Sequence, residues 1–186
     1  MMGQMCCKKD GFSYNNIIMK KVFLLLDPQC DFFSDENPNL LEFKKTVPVI
    51  NRVLQYFRER SQPVIVIQHT SAKLSAHSPG WKIHPGIALD GTEILMRKHF
   101  QNAFWKSQLA KTLHALQAQD LLIAGYLAER CVLSTYRGAI ERGFKPVLLA
   151  DGSAGVQHPE AVLDWCDTLR SKDVFSGKFL DKNLFA

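Results

Sequence analysis

Cys131 stands where a short apolar run, residues 121–124 (LLIA), has stopped at Gly125 and a helical spacing takes over, with Val132, Tyr136, Ala139 and Ile140 on one face before Gly143. A strand that hands over to a helix here puts the sulfur in the first helical turn. The positive end of the helix dipole and the unpaired backbone N–H groups then favour thiolate over thiol. Such a cysteine is suited to be a nucleophile; on this stretch alone the alternative is a small buried hydrophobe. Two further reactive groups stand at the ends of apolar runs. Residues 21–27 (KVFLLLD) run into Asp27, and residues 94–98 (ILMRK) into Lys98. Taken singly, Asp27 could be a strand-end residue capping a turn at Asp31, and Lys98 an exposed edge charge. Together, a carboxylate, an ammonium and a thiol at three strand ends can converge, because the loops at the C-terminal strand ends of an open parallel sheet form its ligand crevice.

The elements that must position them follow from the spacing of apolar residues. Strands are expected at 21–26, 63–68, 94–97, 120–125 and 145–150. Helices are expected at 48–59, with Ile50, Val53, Leu54 and Phe57 on one face, and at 106–118, 130–142 and 159–170. Alternating strands and helices with short connections predict an α/β fold, a three-layer αβα sandwich with a mostly parallel central sheet. Pro48 fits the first helical turn, where its missing N–H costs nothing. The loop over 69–92 is long for a compact domain, and such loops tend to be functional lids.

Composition narrows the function. With 186 residues, 46% of them hydrophobic, the chain can bury one full core. The net charge of +5 is scattered, with Lys pairs only at 8–9, 20–21 and 44–45, so no nucleic-acid partner is expected. No apolar stretch approaches the roughly 20 residues of a membrane span. The five cysteines, at 6, 7, 30, 131 and 166, follow no metal or disulfide-framework spacing, which points to the reducing cytoplasm. Residues 1–18 read as a leader and 19–186 as the domain, with Met19 as a possible functional start. Met2, Gly3, Cys6, Cys7, Lys8 and Lys9 partly match a dual-acylation signal. The pattern departs from it where Cys7 replaces Ser or Thr and Met1 precedes Met2. No apolar segment follows these charges as in a secretory signal.

Three blocks, LLLDPQCDFF, RKHFQNAF and AGYLAERCVLSTYRGAIERGF, resemble in order and separation the signature blocks of the isochorismatase-like cysteine hydrolases, the group that contains nicotinamidase and N-carbamoylsarcosine amidase. The resemblance covers essentially everything from Met19 onward. It implies a catalytic triad of Asp27, Lys98 and Cys131. It also implies a cis peptide at Tyr126–Leu127, with the backbone N–H groups of Leu127 and Cys131 forming an oxyanion hole. The cysteine points to the amide-cleaving branch. Nicotinamidases add an Asp-x-His pair and further histidines around a metal; this chain has Gln68, His69 and Thr70, then His77 and His84, and no Asp-x-His. His84, in the block Trp81 to Pro85, therefore reads as structural, and no metal or other cofactor is expected. The substrate is expected to be a small amide or carbamoyl compound, with Phe32, Trp81, Phe104 and Leu127 as the pocket wall. Members of the family form dimers or tetramers, so a homodimer or homotetramer is implied, with an exposed Trp81 or Trp105 as a contact surface.

Amide hydrolysis through a covalent intermediate needs a nucleophile, a proton carrier and donors for the oxyanion. Asp27, apolar on its N-terminal side, is suited to carry the proton because desolvation raises a carboxylate's pKa. Lys98 opposes that shift and favours the thiolate. Two other readings compete. Cys131 and Arg137 have the C-x5-R spacing of a cysteine phosphatase, although residues 132–136 lack the glycine that a phosphate-wrapping loop usually needs. A non-catalytic binding protein on the same fold is the other; it would be favoured by loss of Asp27, Lys98 or Cys131, and all three are present.

Overall fold

The computed structural model describes residues 20–156, 162 and 164–180. The sequence-based division between a leader over 1–18 and the domain lies outside the described residues. Five apolar strands appear where apolar runs stand in the sequence: β1 (Lys20–Leu26), β2 (Val64–His69), β3 (Ile94–Lys98), β4 (Ala118–Tyr126) and β5 (Lys145–Ala154). A sixth, β6 (Thr168–Leu169), is short. All pair in parallel in the order β3-β2-β1-β4-β5-β6. The three-layer architecture therefore stands, with a sheet that is wholly parallel.

Residues along each strand alternate between two cores. Phe23, Leu25, Val66, Leu122, Ala124 and Leu149 face α1 (Leu40–Glu59), while Val22, Leu24, Leu26, Ile67, Leu121 and Ile123 face α2 (Leu109–Ala115) and α3 (Leu133–Ile140). A strand buried on both sides must be apolar at every position, which is why these runs are unbroken. A short helix, α4 (Ser171–Phe175), adds Val174 to the first core. Among the described residues no helix is long and apolar enough to cross a membrane.

The helix expected over 106–118 is shorter, Leu109–Ala115, because Ala118 already belongs to β4, and two further elements differ more. Helix α1 begins at Leu40, so Pro48 lies in its interior rather than its first turn. The extra turns carry Phe43, fully buried, whose ring lies 4.8 Å from that of Tyr126 and 6.0 Å from that of Phe32. Burying this aromatic surface offsets the backbone hydrogen bond that proline removes. The helix expected over 159–170 lies partly outside the described residues, and its last part is instead β6, which pairs Thr168 and Leu169 with Leu148 and Leu149 and closes the edge of β5.

The loop between β2 and β3 is fastened rather than free. Residue 82 accepts from the Cys30 N–H at 2.8 Å, Gly80 from Asp31 at 3.0 Å, and Pro28 accepts from His84 at 2.8 Å, so residues 80–84 run along the segment that follows β1. At the other side of β1, Gly125 has φ +124°, and a Cβ placed there would lie 2.0 Å from the carbonyl oxygen of Leu26. Only glycine lets β4 approach the end of β1 this closely. Gly125→Ala is therefore expected to cost at least about 3 kcal/mol, a backbone clash combined with a disfavoured φ. Urea unfolding that shows a loss below about 1 kcal/mol would contradict this packing.

Candidate active site

Asp27 is the first residue past β1, fully buried, and its backbone sits at φ +53°. Aspartate tolerates this left-handed region better than branched residues do, and residues held there concentrate at functional sites. Its N–H donates to Ile67 O at 2.7 Å, which holds it against the end of β2. Lys98 is the last residue of β3 and is 1% exposed. Cys131 follows β4 in a single π-helical turn, Ala128–Val132, that runs directly into α3. The peptide between Tyr126 and Leu127, just before that turn, is cis.

These three residues meet. Lys98 Nζ lies 2.7 Å from Asp27 Oδ2 and donates to Cys131 Sγ at 3.1 Å. Burial pushes the Asp27 carboxyl above its ordinary value of 3.8, while the charge and hydrogen bond of Lys98 pull it back. The result is a carboxylate more basic than an exposed one and still paired with a cation. Burial, and then the charge of Asp27, push the Cys131 thiol up to about 12, with Lys98 opposing. Burial therefore opposes the thiolate that a helix start favours. It thus raises both the Asp27 carboxyl and the Cys131 thiol, and Lys98 opposes both shifts.

The other residues singled out in the sequence are less uniformly placed. Leu127 and Phe32 are half-buried against the first core, Phe32 with its ring 5.9 Å from that of Tyr126. Phe104 is buried in the second core, its ring 5.6 Å from Phe144 with the Arg142 guanidinium over it. Trp81 is 8% exposed, which corrects its assignment as an exposed contact; its indole N–H donates to Thr70 Oγ1 at 2.9 Å. Trp105 is 52% exposed. The histidines occupy three separate surroundings. His84 stacks on Phe33 at 4.1 Å, His77 lies 5.4 Å from Trp81, and His69 Nδ1 lies 3.4 Å from Lys98 Nζ. Among the described residues no three His, Cys, Asp or Glu side chains are grouped to hold a metal ion. Arg137 is exposed on α3, and the residues between it and Cys131 are helical, so they form no loop around the sulfur.

Gln29 was not singled out by sequence reasoning and proves structurally central. It is fully buried, and its carboxamide bonds both the N–H and the C=O of His69 as well as the C=O of Trp81. The only signal in the sequence was a polar side chain two residues beyond Asp27, inside an otherwise aromatic and acidic block. A cavity of about 510 Å³ between the start of α1 and the end of β5, lined by Asn39, Lys45, Thr46, Asp151 and Ser153 among others, includes none of Asp27, Lys98 and Cys131.

Residues 21–165 match the Isochorismatase domain. An uncharacterized isochorismatase family protein of Bacillus subtilis is 26% identical over 141 residues, covering 73% of this chain and 78% of that protein. A streptothricin hydrolase of Streptomyces noursei is 34% identical over 85 residues, which is 46% of this chain but only 31% of that protein. Among solved structures, N-carbamoylsarcosine amidase from Thermoplasma acidophilum superposes with a TM-score of 0.75 at 20% identity, covering 82% of this chain and 97% of that one. Pyrazinamidase of Pyrococcus horikoshii, in complex with zinc, gives 0.72 at 19% identity, covering 81% and 99%. At these identities the structural likeness is one of fold.

The ion pair yields a stability test. Lys98→Met leaves a buried carboxylate without its cation and is expected to cost about 3–5 kcal/mol near neutral pH. The sign with pH follows from the raised carboxyl. The unfolded chain ionises near 3.8, whereas the folded variant holds its proton to higher pH, so the loss grows above 3.8 and shrinks toward it. Combining Lys98→Met with Asp27→Asn should recover much of the loss in urea unfolding; a double variant less stable than the single one would contradict a buried ion pair.

Proposed function

The chain belongs to the isochorismatase family of hydrolases, and on that premise we propose that it is a cysteine hydrolase that cleaves a small amide or carbamoyl compound through a thioester on Cys131. The observation that carries this reading is the contact of one buried ammonium with both a carboxylate and a thiol, at 2.7 and 3.1 Å. Amide chemistry is further supported by the streptothricin hydrolase relative and by the fold shared with N-carbamoylsarcosine amidase and pyrazinamidase.

The steps follow from the charges. Asp27 takes the thiol proton as sulfur attacks the substrate carbonyl, so thiolate forms only with a substrate to receive it. Lys98 stabilises the negative charge as it passes between carboxylate and sulfur. With its N–H groups directed at protein acceptors, Lys98 is a poor donor to the substrate oxygen, and that role falls to the backbone N–H groups of Leu127 and Cys131. The carbonyl oxygen takes up the electron pair and returns it as the C–N bond breaks. Asp27 gives its proton to the departing nitrogen, leaving a thioester and, for a primary amide, ammonia. Asp27 next takes a proton from water; the hydroxide adds to the thioester carbon, the C–S bond breaks, and the sulfur recovers the proton as the acid leaves. One water is consumed per bond cleaved. No step requires a metal or an organic cofactor.

Of the four residues expected to form the pocket wall, the half-buried Phe32 and Leu127 are the ones proposed to meet the substrate, with Trp81 and Phe104 buried. Assembly as a homodimer or homotetramer belongs to the same reading; Leu95 on the edge strand β3 and Trp105 beyond it are the exposed apolar residues that such a contact would cover. Light scattering that finds only monomer would count against assembly.

Ammonia release from a panel of primary amides and carbamoyl compounds tests the activity. Cys131→Ala should abolish turnover without unfolding the chain. Asp27→Asn should lower it by about 10²–10⁴-fold, and the double variant should be hardly worse than either alone, because the groups act as a unit. The base form of Asp27 is required, so kcat/KM should fall as pH drops through its raised pKa, placing the acid limb above 3.8. Full turnover by Cys131→Ala would overturn the assignment.

A further inference from the structure

Lys98 Nζ faces three polar atoms. An ammonium has three N–H donors and no acceptor, and three polar atoms surround Nζ: Asp27 Oδ2 at 2.7 Å, Cys131 Sγ at 3.1 Å and His69 Nδ1 at 3.4 Å. The third follows from the topology. β2 lies between β1 and β3, so the Lys98 side chain reaches Asp27 across two strand spacings, roughly 9.5 Å. It has to pass over the end of β2, and the residue there is His69, the register partner of Lys98.

His69 is itself clamped. Its N–H donates to Gln29 Oε1 at 2.8 Å, and Gln29 Nε2 donates back to His69 O at 3.0 Å. Gln29 Nε2 also donates to Trp81 O at 2.9 Å, an acceptor shared with Gln68 Nε2 at 2.9 Å. A fully buried carboxamide satisfied this completely fixes the chain that bears it. It joins the turn after Asp27, the end of β2 and the loop carrying Trp81.

We propose that His69, held by Gln29, is a positioning residue of this site: its unprotonated Nδ1 accepts the third Lys98 N–H and so aims the ammonium at Asp27 and Cys131. The inference rests on Asp27, Lys98 and Cys131 being the reacting set. Acceptance at Nδ1 fixes the Nε2–H tautomer. A second positive charge so near the ammonium would turn Lys98 away, so the arrangement requires a neutral imidazole. The charged and titratable groups around the ring are Lys98 on β3, His99 just beyond it, and Asp27 and Cys131, both of which Lys98 already contacts. Burial, then Lys98, then His99 hold the His69 pKa below its ordinary 6.5, which keeps the ring neutral at physiological pH.

Nitrogen-15 NMR of the full chain with labelled imidazoles tests this without a substrate. His69 should show the Nε2–H tautomer and titrate below 6.5, and its midpoint should climb toward 6.5 in Lys98→Met. An Nδ1–H tautomer, or a midpoint that Lys98→Met leaves unmoved, would overturn the proposal; if Lys98→Met does not fold, the wild-type tautomer decides. In turnover assays His69→Leu should lower kcat about tenfold or more with KM little changed, the scale of one hydrogen bond to a charged group. His69→Asn, which keeps an acceptor, should recover most of it. Unchanged kcat in His69→Leu, with Cys131→Ala inactive, overturns this inference alone. An active Cys131→Ala overturns the cysteine-hydrolase reading instead, and the tautomer still decides the role of His69.

Discussion

The site depends on one interaction, the ion pair between Lys98 and Asp27, whose side chains are both 0% exposed. Taking two charges out of water costs several kcal/mol per ion, and the pair repays this only when the groups are held at close range with few alternatives. The sheet supplies that restraint. Asp27 and Lys98 come from strands separated by β2, and the four-carbon stem of a lysine has the length to cross the gap. Aspartate or glutamate at the end of β3 could neither reach nor carry the right charge. From the other side, Gly125 lets β4 close on the end of β1, and the π-helical turn after it delivers Cys131 to the same ammonium. Two groups, delivered by β1 and β4, thus share the one cation at the end of β3.

That sharing decides how the nucleophile is made. A cysteine exposed at a helix terminus would be lowered toward thiolate, but here burial and the neighbouring carboxylate push the thiol the other way. A buried site that already holds one carboxylate and one ammonium is close to neutral, and a permanent thiolate would add an uncompensated charge. Keeping the thiol protonated until a carbonyl carbon can accept its electrons avoids that charge. The raised basicity of Asp27 and the raised pKa of Cys131 are two consequences of the same low-dielectric surroundings.

Much of the arrangement is legible in the sequence because doubly buried parallel strands leave unbroken apolar runs, and the residues that end them, Asp27 and Lys98, stand out as charges. Cys131 is marked by the change of period from strand to helix. What is not legible arises where tertiary contacts override local rules. Pro48 marks a helix start by its own chemistry, yet α1 extends two turns earlier because Phe43 finds Phe32 and Tyr126 to pack against. Thr168 and Leu169 form a strand because β5 presents a free edge. Trp81, a large aromatic in a long loop, gives no sign that its indole N–H and carbonyl are both satisfied inside. Gln29 and His69 act through partners distant in sequence, which spacing alone does not reveal. Local helix position likewise gives only part of the thiol's surroundings, since burial and Asp27 also act on it.

The central claim is that a neutral Cys131 thiol, deprotonated by Asp27 beside Lys98, becomes acylated during turnover. Rapid quenching of the enzyme with a cleavable amide, followed by mass spectrometry of the peptide that contains Cys131, tests it most directly. The account predicts an acyl adduct confined to Cys131, equal in mass to the acyl portion of the substrate, that appears and decays at rates consistent with turnover. Sustained turnover with Cys131 unmodified throughout, or an adduct only on another cysteine, would contradict it.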